Sequence, residues 1–206
     1  WRMNEYNGPT AFDCTGNGNN GSYEDSIAFY LPGPEGEKFS EKKTNRCALF
    51  AGGKMTACLN NLGDQYTVSL WFWNGFPPDA RQVIGYLFSR GPGRDQGDHL
   101  GIGGIAGAQG KLFFSSGETE KCAVLEGKTE IPMRKWTHVV LVRHGRNIRI
   151  YLNGELEISG ESPIQYSPDF ETLHIGGRND KEFCFEGRID EVAVYDRALT
   201  GDQIIF

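Results

Sequence analysis

Residues Trp136 to Gly154 read WTHVVLVRHGRNIRIYLNG, and this stretch decides the fold. Thr137 to Arg143 clusters β-branched and apolar residues, as a strand does. His144-Gly145-Arg146-Asn147 is a polar break containing a glycine. Ile148, Ile150 and Leu152 then alternate with Asn147, Arg149 and Tyr151, the period of two that sends successive side chains to opposite faces. Asn153-Gly154 predicts a two-residue type I′ turn, because both central positions need positive φ. A third strand follows from Leu156 to Ser159. In the first strand Trp136, His138, Val140 and Val142 share one face, and Val139 and Leu141 the other. Both faces are largely apolar, so this strand is expected to be covered on both sides. Three antiparallel strands in so short a span point to an all-β meander.

The rest of the chain supplies strands for that sheet. Tyr66 to Trp73 (YTVSLWFW) carries apolar bulk on both parities and reads as a central strand. Shorter strands are expected at Trp1–Glu5, Cys47–Phe50, Met55–Cys58, Val83–Ser89, His99–Ile102, Lys111–Ser116, Lys121–Leu125, Thr172–Ile175, Phe183–Ile189 and Val192–Tyr195. Asn7 to Ser22 is glycine- and asparagine-rich and must be loop; 91–98 (GPGRDQGD) is read as another. Residues 31–46 are charged and hold two prolines, as an exposed insertion would. Only the tail looks helical: Thr200 is an N-cap with Gln203 three residues on, and Ile204 and Ile205 are expected to pack inward. The pattern predicts one all-β domain over 1–206, a two-sheet antiparallel jelly-roll sandwich with a short C-terminal helical turn.

Composition narrows the function. The 206 residues are 38% hydrophobic and 12% aromatic with 28 glycines, which favours many short strands over long helices. A chain of this size buries enough surface to hold a core without metal or disulfide. The net charge of −6 argues against nucleic acid and anionic membranes as partners. The basic group Arg143, His144, Arg146 and Arg149 reads as a solvated turn, or else as a contact for an anionic ligand. No apolar run is long enough to insert in a membrane. The five cysteines, Cys14, Cys47, Cys58, Cys122 and Cys184, form no CxxC pair, so a structural zinc is not expected. They are small buried hydrophobes, or one or two disulfides if the chain is exported. Gly101 to Gly107 (GIGGIAG) lacks the βαβ context of a dinucleotide site. Asp13, Asn17 and Asn19, with the carbonyls around Gly18 and Gly21, hold the oxygen inventory of a calcium loop, or an Asx-turn satisfied by its own side chains.

Four blocks then resemble a known family: WRMNE followed by DCTGNGNNG; YTVSLWFW; WTHVVLVRHGRNIRIYLNG; and LHIGGRND with FEGRIDEVAVYDRALTGDQI. Together they look like a laminin-G-like jelly-roll domain of the concanavalin A-like lectin/glucanase superfamily. The resemblance spans nearly the whole chain and implies the sandwich already read from the strands. It does not select a function, since the fold hosts lectins, glycosidases and spacers. It implies a structural calcium held by the Asp13–Gly21 loop and by Asp190 of the last strand, although Cys14 stands where a small or polar residue is usual. It implies an excised part of a larger exported protein, in an extracellular, periplasmic or cell-surface setting, with that protein's other domains as partners.

Carbohydrate is the ligand the resemblance implies. Sugar sites use aromatic faces with Asn, Asp or Arg on hydroxyls, which nominates Trp73, Phe76, Arg94, Asp95, Asp98, His99, Arg178, Asn179 and Asp180. The alternatives are a protein-binding or spacer module, and a glycosidase. Retaining hydrolysis needs two facing carboxylates. The strand pattern that supplies them, E-x-D-x-E, is missing: EGRIDE (Glu186–Glu191) has Asp190 at the wrong offset, and Glu155/Glu157 and Glu118/Glu120 are single pairs beside turns. The chain is therefore read as non-catalytic.

Overall fold

A computed structural model describes residues 1–36, 39, 44–93, 96–118, 121–164 and 170–204. In chain order its strands are β1 (Thr10–Ala11), β2 (Gly21–Tyr23), β3 (Ile27–Pro32), β4 (Arg46–Ala51), β5 (Met55–Cys58), β6 (Gln65–Asn74), β7 (Val83–Gly93) and β8 (Gln96–Gly104). Then follow β9 (Gly107–Glu118), β10 (Lys121–Glu130), β11 (Trp136–His144), β12 (Asn147–Leu152), β13 (Glu155–Glu161), β14 (Thr172–Ile175) and β15 (Glu186–Tyr195). An eight-stranded sheet has the order β1-β2-β5-β14-β7-β8-β9-β10, and a seven-stranded sheet the order β13-β12-β11-β6-β15-β4-β3. All the ladders are antiparallel, the jelly-roll sandwich expected.

The opening hairpin forms as its sequence dictates. Asn153 and Gly154 have φ of 50° and 86°, as a type I′ turn requires. Val139 and Leu141 point into the main core beside Leu70, Phe72, Leu100, Ile102, Leu112 and Phe114. Val140 and Val142 point the other way, into a second cluster with Tyr151, Leu199 and Ile204. The tail thus covers the outer face of β11, and both faces of that strand are buried. A 3₁₀ turn, Gly201–Gln203, positions it, and Gln203 Oε1 accepts the Thr200 N–H at 3.1 Å. Ile205 lies outside the described residues.

Several sequence readings change. The stretch Asn7–Ser22, read as loop, holds β1 and the start of β2, and β3 forms where no strand was expected. Residues Trp1–Glu5 form no strand; Trp1 exchanges backbone hydrogen bonds with Val192 alone, across a bulge in β15. That bulge, between Asp190 and Ala193, is also why β15 reads as two strands from sequence. Residues 91–93 and 96–98 extend β7 and β8 instead of forming a loop.

The two sheets are joined through their interior by charge. Asp98 of β8 and Arg143 of β11 are both 0% exposed. Arg143 Nη1 donates to both Asp98 oxygens at 2.5 and 2.6 Å, and Nη2 to the Ile164 carbonyl at 2.7 Å. Tyr66 OH and Ser116 Oγ donate to the same carboxylate at 2.5 and 2.7 Å. Asp98 therefore holds hydrogen bonds on both oxygens, which makes a buried ion pair tolerable. Arg143 is accordingly no part of a solvated basic turn; only His144, Arg146 and Arg149 are exposed there.

At one edge the sheets meet directly. Glu157 of β13 accepts the Thr129 N–H at 2.6 Å and the Thr129 hydroxyl at 2.8 Å from β10. Leu125 of β10 lies over Gly160, where a Cβ would sit 2.7 Å from it. No disulfide joins the cysteines among the described residues: Cys47 and Cys184 are buried, and Cys14, Cys58 and Cys122 exposed. Burial first, then Asp190, pushes the Cys47 thiol up to about 12.

Arg143→Met leaves the Asp98 charge buried without its cation. Chemical unfolding should show a loss of roughly 3–5 kcal/mol. Adding Asp98→Asn should recover part of that loss; no recovery would mean that packing, not charge, sets the cost.

Candidate functional site

The outer face of the eight-stranded sheet carries a groove of about 360 Å³ that crosses β7, β8, β9 and β10. Register places its floor. Tyr86 of β7 lies opposite Gly101 of β8, which lies opposite Phe113 of β9, which lies opposite Glu126 of β10. Gly101 is required there: a Cβ would meet the Phe113 ring at 2.8 Å. Without that side chain, Phe113 reaches Tyr86 edge to face, with ring centroids 5.6 Å apart. Val124, 57% exposed, and Glu126 form the β10 wall, and Ala106, Gly107 and Ala108 the turn beside it.

The adjoining row on the same face is polar. Thr56, His174, Ser89, His99, Ser115 and Val124 lie side by side on consecutive strands. The Thr56 hydroxyl and His174 Nδ1 are 2.9 Å apart. His99 meets Tyr86 edge to face at 6.0 Å. Ser89 Oγ is buried with no hydrogen-bond partner among the described residues. Burial first, then the Lys54 charge, depresses the His174 pKa to about 4, so His174 is neutral at pH 7.

Arg178 closes the end of the groove. Its guanidinium lies over the Tyr86 ring at 4.4 Å and donates to the Tyr86 hydroxyl at 3.0 Å. Nε and Nη2 fork onto Asp180 at 3.2 and 2.7 Å. Lys54 holds the loop from beneath, donating to the carbonyls of Arg178 and Asn179 at 2.9 and 3.3 Å.

Of the residues nominated from sequence, His99, Arg178 and Asp180 thus come together around Tyr86, with Asn179 beside them. Others do not join them. Asp98 points into the core, because the alternation of β8 sends it to the face opposite His99. Trp73 lies on the other sheet under Arg188, whose guanidinium is 4.9 Å from its ring. Phe76 is similarly covered by Arg81 at 4.9 Å. Arg94 and Asp95 lie outside the described residues. Tyr86, Phe113, Val124 and Glu126 were missed. Their signal was strand parity, which requires the bulges of β7 to be known first.

The residues nominated for calcium fall in two places. Asp13 Oδ1 accepts from the Thr15 N–H and hydroxyl at 2.8 and 2.6 Å, and Oδ2 from the Asn19 N–H at 2.9 Å. The Thr15 hydroxyl bond holds the Asp13 carboxyl below its usual range. Asn17 donates its N–H to Thr15 Oγ1, the Asn19 carbonyl accepts from Trp1 Nε1, and Gly21 is buried in β2. This is a self-satisfied Asx-turn loop. It borders a cavity of about 610 Å³, but the loop's own hydrogen bonds occupy its carboxylate.

Asp190 differs. It is fully buried on the outer side of the seven-stranded sheet, opposite Trp71. Oδ2 accepts from Asn45 Nδ2 at 2.6 Å, and Oδ1 has no partner among the described residues. Burial, and then the neighbouring Glu191, push its carboxyl up to about 8. The Pro34 carbonyl lies 3.3 Å from the same Asn45 nitrogen. Among the described residues no three His, Cys, Asp or Glu side chains cluster for a metal. The oxygens around Asp190 are its own Oδ1 and the Pro34 carbonyl, while Asn45 turns an N–H donor, Nδ2, towards both Asp190 and Pro34. The two oxygens fit a hard cation such as calcium.

Residues 51–205 match the family described as the Concanavalin A-like lectin/glucanases superfamily, under a laminin-G model. One solved structure similar to this chain is domain 4 of AbnA, a GH43 extracellular arabinanase from Geobacillus stearothermophilus, in complex with arabinotriose. Its TM-score is 0.71 at 22% identity, over 93% of this chain and 89% of that one. The receptor binding domain of botulinum neurotoxin C/D mosaic serotype matches with a TM-score of 0.70 at 15% identity, over 98% of this chain and 48% of that one. Human adhesion G-protein coupled receptor D1 is 35% identical over 74 residues, 34% of this chain and 8% of the receptor. The chain thus matches a small part of that curated relative.

His174 gives a pH prediction. Its depressed folded pKa means that its contribution to stability is complete above the unfolded value near 6.5 and is lost as pH falls towards 4. His174→Asn keeps a polar partner for Thr56. Thermal melting from pH 7 to 4 should show a shallower acid limb for this variant than for the unaltered chain.

Proposed function

Because the chain belongs to the concanavalin A-like lectin/glucanases superfamily, we propose that it is a non-catalytic binding module for carbohydrate, seated in the groove on the eight-stranded sheet. The observation that carries this reading is the floor formed by Tyr86, Gly101 and Phe113, flanked by Ser115, Glu126 and Arg178. Sugars present apolar C–H faces and hydroxyl edges, and a site for them needs an apolar floor with a few oriented polar groups. The arabinotriose complex of the AbnA domain supports the choice of ligand at the level of fold. Glu126 is the one carboxylate among the described residues that line the groove, where hydrolysis through paired carboxylates needs two. Partial coverage of the neurotoxin domain and the receptor supports a place within a larger exported or cell-surface protein. No described helix is long and apolar enough to cross a membrane.

Calcium is the second element of the proposal, at Asp190 with the Pro34 carbonyl. The orphaned Asp190 oxygen supports it.

Titration calorimetry with arabino-, xylo- and galacto-oligosaccharides tests the groove. Phe113→Ala and Tyr86→Ala should each weaken binding by about tenfold, the scale of one aromatic contact. Equal affinity in both variants would remove the groove from consideration. Calcium should raise the melting temperature of the EDTA-stripped protein by mass action, and Asp190→Asn should abolish that rise.

A further inference from the structure

We propose that the groove selects uncharged saccharides and rejects those bearing carboxylate or sulfate, an inference that rests on the carbohydrate reading above. Arg178 is the group an acidic sugar would be expected to use. It is 2% exposed, and its fork is already filled by Asp180, with Glu182 at 3.4 Å from the same Nη2. A guanidinium held by two carboxylates and a tyrosine hydroxyl offers no free N–H pair for a bidentate anion.

Three other described cations near the groove are held in ion pairs. Lys54 lies 3.4 Å from Glu24, which also pairs with Lys181 at 2.8 Å. Arg81 pairs with Glu186 at 3.1 Å. Lys111, next along the face from Phe113, lies in register with Glu130 without an ion pair between them, and it is outside the groove lining. His174 is neutral, as above. Glu126 does line the groove, and among the described residues no cation lies within ion-pair distance of it. The unmatched charge in the lining is therefore negative, and the whole chain carries −6. An acidic ligand would enter against both fields, and binding would strip water from its charge with no cation to replace that water. A neutral sugar meets neither cost: its hydroxyls can use Ser115 and the Glu126 carboxylate, and its C–H faces the aromatic floor.

The experiment is a solid-phase array probed with the full chain. Neutral arabino-, xylo- and galacto-oligosaccharides are printed beside glucuronate-, sialate- and sulfate-bearing chains of the same length. Binding confined to the neutral set is the expected result. Glu126→Lys, at an exposed position, should raise binding of the acidic set by at least about tenfold as it reverses the local charge. Acidic chains bound as well as neutral ones, with binding lost in Phe113→Ala, would overturn the selectivity and leave the groove reading intact. No binding to either set would overturn the groove reading, and this inference with it.

Discussion

The ion pair between Asp98 and Arg143 fixes more than the spacing of two sheets. A strand has two possible faces, and a slip of one residue exchanges them. Asp98 can be buried only opposite Arg143, Tyr66 and Ser116, so it sets the register of β8. Leu100 and Ile102 then point inward with it, and His99 and Gly101 outward. The groove floor depends on that choice, because Phe113 reaches Tyr86 only where β8 presents Gly101. An interaction inside the core thereby determines what the surface can bind. The desolvation cost of the pair makes alternative registers costly, since each would leave a buried charge without its partner.

Much of the fold was legible because it rests on local periodicity. The hairpin from Trp136 to Gly154, the two-sided burial of β11 and the capping of the tail by Gln203 follow from residues a few positions apart. The site was less legible, for identifiable reasons. Asp98 looked like a loop ligand because GPGRDQGD carries turn residues, yet β7 and β8 run through most of it. Arg143 looked like part of a basic surface tip, and only its partner on a distant strand shows otherwise. Gly101 of GIGGIAG gave no sign of its use, which is to leave room for the Phe113 ring of the next strand. Each of these facts belongs to pairs of strands, and a single sequence records pairing only indirectly.

The two sheets divide the chemistry between them. On the eight-stranded sheet the outer face is open, with an apolar floor and polar neighbours. On the seven-stranded sheet the outer face is largely roofed. The tail covers Val140 and Val142, Phe39 packs edge to face on Trp71, and the segment around Gly33 and Asn45 seals Asp190. A buried acidic group with an unpartnered oxygen beneath such a roof suits structural reinforcement, and an aromatic floor at the base of an open groove suits contact with a ligand. The tryptophan nominated as a stacking platform, Trp73, lies on the roofed side together with Trp71.

The seam between β10 and β13 bears on how the molecule behaves at high concentration. Open sheet edges template further strands, and a two-sheet protein has four of them. Here two of the four are turned onto each other through Glu157, Thr129 and the contact of Leu125 with Gly160. Of the remaining two, β1 is only two residues long, and β3 ends in Pro32 and is broken by a bulge. None offers the long flat ladder on which fibres grow. The wall that bears Val124 and Glu126 is therefore shielded from recruiting a second chain, and the groove beside it stays open.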